Sequence, residues 1–192
     1  EEAIEMGIVG RAIAQDGQSE LIEFAGDLSA GAVFRSALCF WHDEAARGGL
    51  AREAGPWAIS EYLAFPEVSR FIQSFKTVAA SPLFEHANIF EKRLSFDQLG
   101  ITFLERMIAH AGGRLDDRPS DIIVGRPVAY AGARPDEALA RQRYDAMFAA
   151  FGTRIHYVYE PLGAAFSYAS RLTEPATVLV ADFGGGTSDF SI

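Results

Sequence analysis

Val178-Leu-Val-Ala-Asp182-Phe-Gly184-Gly185-Gly186-Thr187-Ser-Asp189-Phe-Ser-Ile192 closes the chain, and its reading decides the fold. An apolar run that reads as a buried strand delivers an acid into three consecutive glycines, followed by a hydroxyl and a second acid. Those residue types suit a metal-bound phosphate. Glycines let backbone N–H groups approach phosphate oxygens with no Cβ in the way, Thr187 adds a hydroxyl donor, and the Asp182 carboxylate is a hard oxygen ligand for magnesium or its waters. A plain hairpin turn also uses Gly-Gly, but it needs neither the acid at the strand end nor the Thr and Asp beyond the loop.

Upstream of this stretch the pattern alternates: a strand over 121–125, a helix over 135–151 ending at Gly152, a strand over 155–159, a helix over 161–171 and a strand over 177–183. Strand, helix, strand, helix, strand implies a mixed sheet with parallel pairs and right-handed crossovers. Glu160-Pro161-Leu-Gly163-Ala-Ala165-Phe-Ser-Tyr-Ala169 joins a strand end to a helix. Pro161 suits the first helical position, and the small residues from Gly163 to Ala165 are expected to allow close packing against a neighbour. Glu160 suits a helix start as an acid favoured by the dipole, and it also stands where parallel sheets bind ligands. Glu160 and Asp182 are therefore expected at strand C-termini on one edge, sharing a metal or an attacking water.

The first part of the chain reads as short β elements over 7–14, 20–24 and 36–41, with a turn at Asp16-Gly17 making the first two a hairpin. A helix is expected over 56–63 with Pro56 in its first turn, and 71–75 reads as a short extended segment ending at Lys76. Ser95-Phe-Asp-Gln98 has the form of a capping box. Behind it Leu99, Phe103, Leu104, Met107 and Ile108 share a helical face until Gly112-Gly113 stops the helix.

The chain has 192 residues, 49% of them apolar and 22% charged, which is enough to bury a substantial core as one large domain or two small lobes. Its net charge of -9, with no basic run, disfavours nucleic acid or an anionic membrane as a partner. Cys39 is the sole cysteine, so no intrachain disulfide forms, and a reducing compartment is expected. No apolar stretch approaches the roughly 20 residues that span a bilayer, and Glu1-Glu2 is unlike a signal peptide. A cytoplasmic protein is expected. The strand-like ending at Ile192, with no cap or polar tail, reads as a piece of something longer.

With these residues in view, Asp182 to Asp189 resembles the second phosphate loop of the actin-like ATPase superfamily, and 160–169 resembles its first connecting helix. Within the superfamily the chain is most similar to the heat-shock protein 70 (DnaK-type) chaperones, in their short YegD-like branch. The segments 34–41, 70–76 and 123–128 support this. The likeness spans nearly the whole sequence, but only the two C-terminal motifs are sharply specific. The resemblance implies an α/β fold: an actin-like (ribonuclease H-like) lobe with a mixed five-stranded-type sheet, its core at about 1–35 and 115–192, and an inserted α+β subdomain at about 36–114. A second lobe and a substrate domain would lie elsewhere.

The resemblance also implies roles. Lys76 matches the lysine that faces the γ-phosphate and helps position water. Asp182 and Glu160 match acids around magnesium and water, and Gly184, Gly185, Gly186 and Thr187 match the β/γ-phosphate cradle. Pro127 and Arg141 match a proline and an arginine that signal nucleotide state between lobes. ATP or ADP with Mg2+ is the implied ligand, and unfolded polypeptide the implied client of regions outside this chain. On its own, this lobe is expected to bind ATP weakly and hydrolyse it negligibly.

One segment departs from the family pattern. The first phosphate loop, of the type Asp-Phe-Gly-Thr-Thr-Asn-Ser, is aligned by Glu5-Met-Gly7-Ile8-Val9-Gly-Arg11, which keeps Gly7 but replaces the hydroxyl side chains by Ile8 and Val9. Glu5 in place of the aspartate shifts the carboxylate by roughly 1.5 Å. Misplacement on that scale costs about a hundredfold in rate. The departure argues against fast hydrolysis more than against binding. Two other readings stay open: a noncatalytic interaction module that has lost the ATPase, and a phosphotransferase of the same superfamily such as a sugar kinase or polyphosphate hydrolase. The letters Asp182-Phe-Gly184 also spell a protein-kinase signature, but no matching lysine strand or catalytic loop precedes them.

Overall fold

The computed structural model describes residues 9–13, 18–21, 24, 34–112, 121–130, 132–169, 172–183 and 188–192, a mixed α/β arrangement of several small sheets and helices. Strands β1 (Val9–Ile13) and β2 (Gln18–Leu21) pair antiparallel as expected, the second starting two residues before the 20–24 run and ending short of Phe24; the turn expected at Asp16-Gly17 lies outside the described residues. Next come β3 (Ala37–His42), β4 (Leu50–Ala54) and β5 (Ser69–Gln73), an antiparallel sheet in the order β4-β3-β5. Because successive side chains on a strand point to opposite faces, β3 serves two cores. Leu38 and Phe40 enter the main one, while Ala37 and Cys39 pack on Ala58, with Ile59, Tyr62 and Phe71 half-buried around them. Burial pushes the Cys39 thiol pKa up, so it behaves as a small apolar group.

Helix α1 (Gly55–Ala64) covers that second core, with Pro56 in its first turn where the missing N–H costs nothing. Its first residue, Gly55, has φ +61°, and a Cβ there would lie 2.7 Å from the buried Phe34 ring, so two independent constraints select glycine. Helix α2 (Phe96–His110) covers the other face of the sheet. The Ser95 N–H donates to Gln98 Oε1 at 3.0 Å, the Gln half of the capping box, and the Ser95 hydroxyl donates to Asp97 at 2.6 Å. Leu99, Phe103, Leu104 and Met107 are buried as the apolar spacing requires, Ile108 is half-buried, and Gly112 at φ +62° follows the helix end. Each large apolar side chain so buried stabilises by about 1.5–3 kcal/mol relative to exposure.

A short hairpin of β6 (Ala87–Ile89) and β7 (Lys92–Leu94) precedes α2. Strand β8 (Asp121–Arg126), helix α3 (Glu137–Ala149) and strand β9 (Arg154–Tyr159) then form a βαβ unit, with β8 and β9 parallel from Asp121↔Arg154 to Arg126↔Tyr159. Asp136 caps α3 by accepting from the Leu139 N–H at 2.9 Å. The main core continues from the β3 sheet and α2 into Val124, Ala140, Met147 and Phe148. Gly100 allows α2 and α3 to meet, since a Cβ there would sit 2.1 Å from Met147 Sδ.

Helix α4 (Glu160–Ala169) and the antiparallel hairpin of β10 (Val180–Phe183) and β11 (Ser188–Ser191) complete the chain. Among the described residues the expected mixed sheet is present as one parallel pair, β8–β9, with β1–β2 and β10–β11 as separate two-stranded ladders. Strand β10 is shorter than the 177–183 run, because its ladder begins at Val180, opposite the last residue of β11. No helix among the described residues is long and apolar enough to cross a membrane.

Candidate functional site

The β10–β11 register runs Val180↔Ser191, Ala181↔Phe190, Asp182↔Asp189 and Phe183↔Ser188. It brackets a four-residue connection, Gly184-Gly185-Gly186-Thr187, which lies outside the described residues, as does Gly7. Two acidic positions face each other one step back from that connection. Like charges directly opposite on an antiparallel ladder destabilise it by about 0.2–1 kcal/mol, so nothing in hairpin stability selects this pairing.

Glu160 is the first residue of α4 and directly follows the last residue of β9. Because β8 and β9 are parallel, this is the edge where both strands end, at Arg126 and Tyr159. Gly125 makes room for Glu160: a Cβ at 125 would lie 3.0 Å from Glu160 Cγ and 3.7 Å from Oε1. Helix α4 packs on β8 and β9 and also on β10, so the elements carrying Glu160 and Asp182 are in contact. The two acids nevertheless go with separate ladders, Glu160 at the start of α4 one residue beyond β9 and Asp182 one residue short of the end of β10. Of the small residues in α4 expected to allow close packing, Gly163 meets no described atom within 4 Å of an added Cβ, and Gly163 and Ala164 are exposed, while Ala165 is half-buried.

Lys76 lies beyond a strand end, but not as a continuation of it. β5 stops at Gln73, where pairing with Ala37 of β3 ends, and Ser74 swings to φ +51° so that its N–H donates to Ser36 O at 2.8 Å. A single 3-10 turn, Phe75–Val78, then carries Lys76 half-exposed between the buried Phe75 and Ala79. A non-glycine residue at positive φ costs of order 1 kcal/mol or more and persists only where its surroundings hold it. Here the holders are the Ser36 carbonyl and the Thr77 N–H and hydroxyl, which donate to Ser74 O at 3.0 and 2.9 Å.

At the shared end of β8 and β9 lies a small pocket, with room for about one water, lined by Arg126, Tyr130, Arg141 and Tyr157. Arg126 stacks 4.3 Å from the Tyr159 ring centroid and donates to its hydroxyl at 2.5 Å, while Arg141 lies 5.3 Å from the Tyr157 centroid. Tyr157 donates to Asp145 at 2.7 Å, and burial raises the phenol pKa of both Tyr130 and Tyr157, so both stay neutral. Arg141 thus lines this pocket, and Pro127 follows another of its lining residues, Arg126, in sequence. Sequence reasoning missed Gly125 and the pocket tyrosines. Only the β8–β9 register, which sequence alone leaves open, brings them together.

Among the described residues no group of three or more His, Cys, Asp or Glu is placed to hold a metal. Asp182 and Glu160 are oxygen donors of the kind magnesium accepts, one or two protein carboxylates being its usual share when phosphates supply the rest. No protein-family model matches the chain.

Proposed function

We propose that the chain is the nucleotide-binding lobe of a heat-shock protein 70-like (YegD-like) chaperone ATPase of the actin-like superfamily, taking Mg-ATP or Mg-ADP. The core at about 1–35 and 115–192 is the ribonuclease H-like part, and about 36–114 is the inserted subdomain. One observation carries the reading: two acidic register positions bracket the glycine connection of β10–β11, and α4, headed by Glu160, packs on that hairpin. Magnesium, when bound, neutralises phosphate charge and favours in-line attack by water. The residues Gly184 to Thr187 hold phosphate oxygens by main-chain N–H groups, Asp182 and Glu160 hold the cation and its waters, and Lys76 faces the γ-phosphate.

The noncatalytic module is favoured by a different observation: Val9, aligned with a phosphate-binding hydroxyl, is the first residue of β1, paired with Leu21. Titration calorimetry of the full-length protein with Mg-ATP, with turnover measured in parallel, separates the two. Binding with turnover is the expected result, binding without turnover selects the module, and no binding of any nucleotide removes both.

A further inference from the structure

Arg143 reaches out of α3 into the loop that follows Lys76. Its Nη1 donates to the carbonyls of Val78 at 2.9 Å, Ala79 at 2.8 Å and Ser81 at 3.0 Å, and its Nη2 donates to the carbonyl of Phe84. The guanidinium also lies 5.7 Å from the Phe84 ring centroid and 5.9 Å from that of Phe96. A second tie runs beside it, the Asp136 N–H donating to Ala80 O at 2.8 Å. The segment is partly buried, with Ala79 and Ala80 in the main core, so its carbonyls need a protein donor and one arginine supplies it for four of them. The nearest acids give no competing pair, since no carboxylate of Asp136 or Asp97 is bonded to the guanidinium.

Upstream the same loop is pinned by Ser74 at positive φ, so the turn carrying Lys76 is fixed at both ends, to β3 through Ser36 and to α3 through Arg143. Helix α3 is the crossover between β8 and β9, and Glu160 follows β9 directly. We propose that Arg143 is a positioning residue: it locks the Lys76 turn to the βαβ unit that carries Glu160, so that lysine and acid keep one geometry. The inference rests on the nucleotide reading, because Lys76 matters to chemistry only there. A stapled turn holds the lysine through the reaction instead of letting it sample solvent, and displacement on the 1 Å scale costs about a hundredfold in rate.

The test compares Arg143→Met with Arg106→Met in the full-length protein. Arg106 makes a similarly half-buried cluster, donating to Glu53 at 2.5 and 3.2 Å, but touches no part of the 76–84 loop, so it reports general loosening. In Arg143→Met, kcat for Mg-ATP is expected to fall about tenfold or more with KM within about twofold of wild type, as for loss of an interaction made only in the transition state. Hydrogen exchange at the Thr77, Ala79, Ser81 and Phe84 amides is expected to quicken about tenfold. Arg106→Met is expected to change neither. Should Arg143→Met not fold, Arg143→Lys serves, because it keeps the charge and loses the planar fork; it is expected to move both readouts the same way by a smaller factor. Unchanged exchange at those amides overturns the staple whatever the activity shows. Quickened exchange with unchanged kcat, in a protein whose turnover Lys76→Ala abolishes, removes the positioning role alone, whereas turnover indifferent to Lys76→Ala removes the nucleotide reading and this inference with it.

Discussion

Asp182→Asn is expected to lower Mg-ATP turnover of the full-length protein at least about tenfold, equivalent to about 1.4 kcal/mol of transition-state stabilisation. The change removes a charge and a hard oxygen ligand while keeping the shape of the side chain, so magnesium and its waters lose a fixed point. The same substitution is expected to leave stability unchanged or slightly higher. Asp182 is the ladder partner of Asp189, and relieving a like-charge cross-strand pair returns about 0.2–1 kcal/mol. Opposite movements of activity and stability are the signature of a residue kept for chemistry at the expense of the fold. Measuring turnover together with the urea unfolding midpoint checks both halves. A variant that loses stability and keeps its turnover would show that Asp182 serves the hairpin.

Lys76→Ala is expected to lower turnover at least about tenfold as well, by removing the cation proposed to face the γ-phosphate and position water. Its structural cost is expected to be small. The side chain is half-exposed, and the turn that carries it is held by main-chain bonds and by Arg143, none of which involve the lysine ammonium. Steady-state kinetics with thermal unfolding as a control gives the answer. Full turnover in this variant would remove the role assigned to Lys76.

Local signals were legible where one segment satisfied itself. The Ser95 cap, the apolar face of α2 and Gly112 at positive φ all follow from neighbours within a few residues. The β1–β2 hairpin around Asp16-Gly17, the β8-α3-β9 unit and the acid at the start of α4 were equally open to reading. Elements that depend on distant partners were not. Strand β4, Leu-Ala-Arg-Glu-Ala, has weak strand propensity and exists because it pairs along β3. The β6–β7 turn carries no glycine or asparagine; Phe90 takes φ +51° there and packs on His42, 4.3 Å between ring centroids. The end of β5 at Gln73 is likewise fixed by a carbonyl of residue 36, far away in sequence.

For the candidate site the division is similar. Residue types and spacing singled out Glu160 and Asp182, because the chemistry of a phosphate loop is written in local composition, whereas Lys76 was named only through the family resemblance. Arg143 and Gly125 carried no such mark. An arginine in a helix of mixed polarity reads as solvated surface, and a glycine in a strand reads as a bulge or close approach of unspecified partner. Only the packing of α3 on the 78–84 loop, and of Glu160 on β8, gives them meaning.

The nucleotide reading requires the connection between β10 and β11 to grip phosphate oxygens through its main chain. Backbone amide resonances of Gly184, Gly185, Gly186 and Thr187, followed by NMR as Mg-ATP is added, report on that grip. Saturable shifts are expected at these four amides, reproduced by Mg-ADP and weakened in Asp182→Asn. Nucleotide binding that leaves all four unmoved, or no response at any nucleotide concentration in the full-length protein, would contradict it.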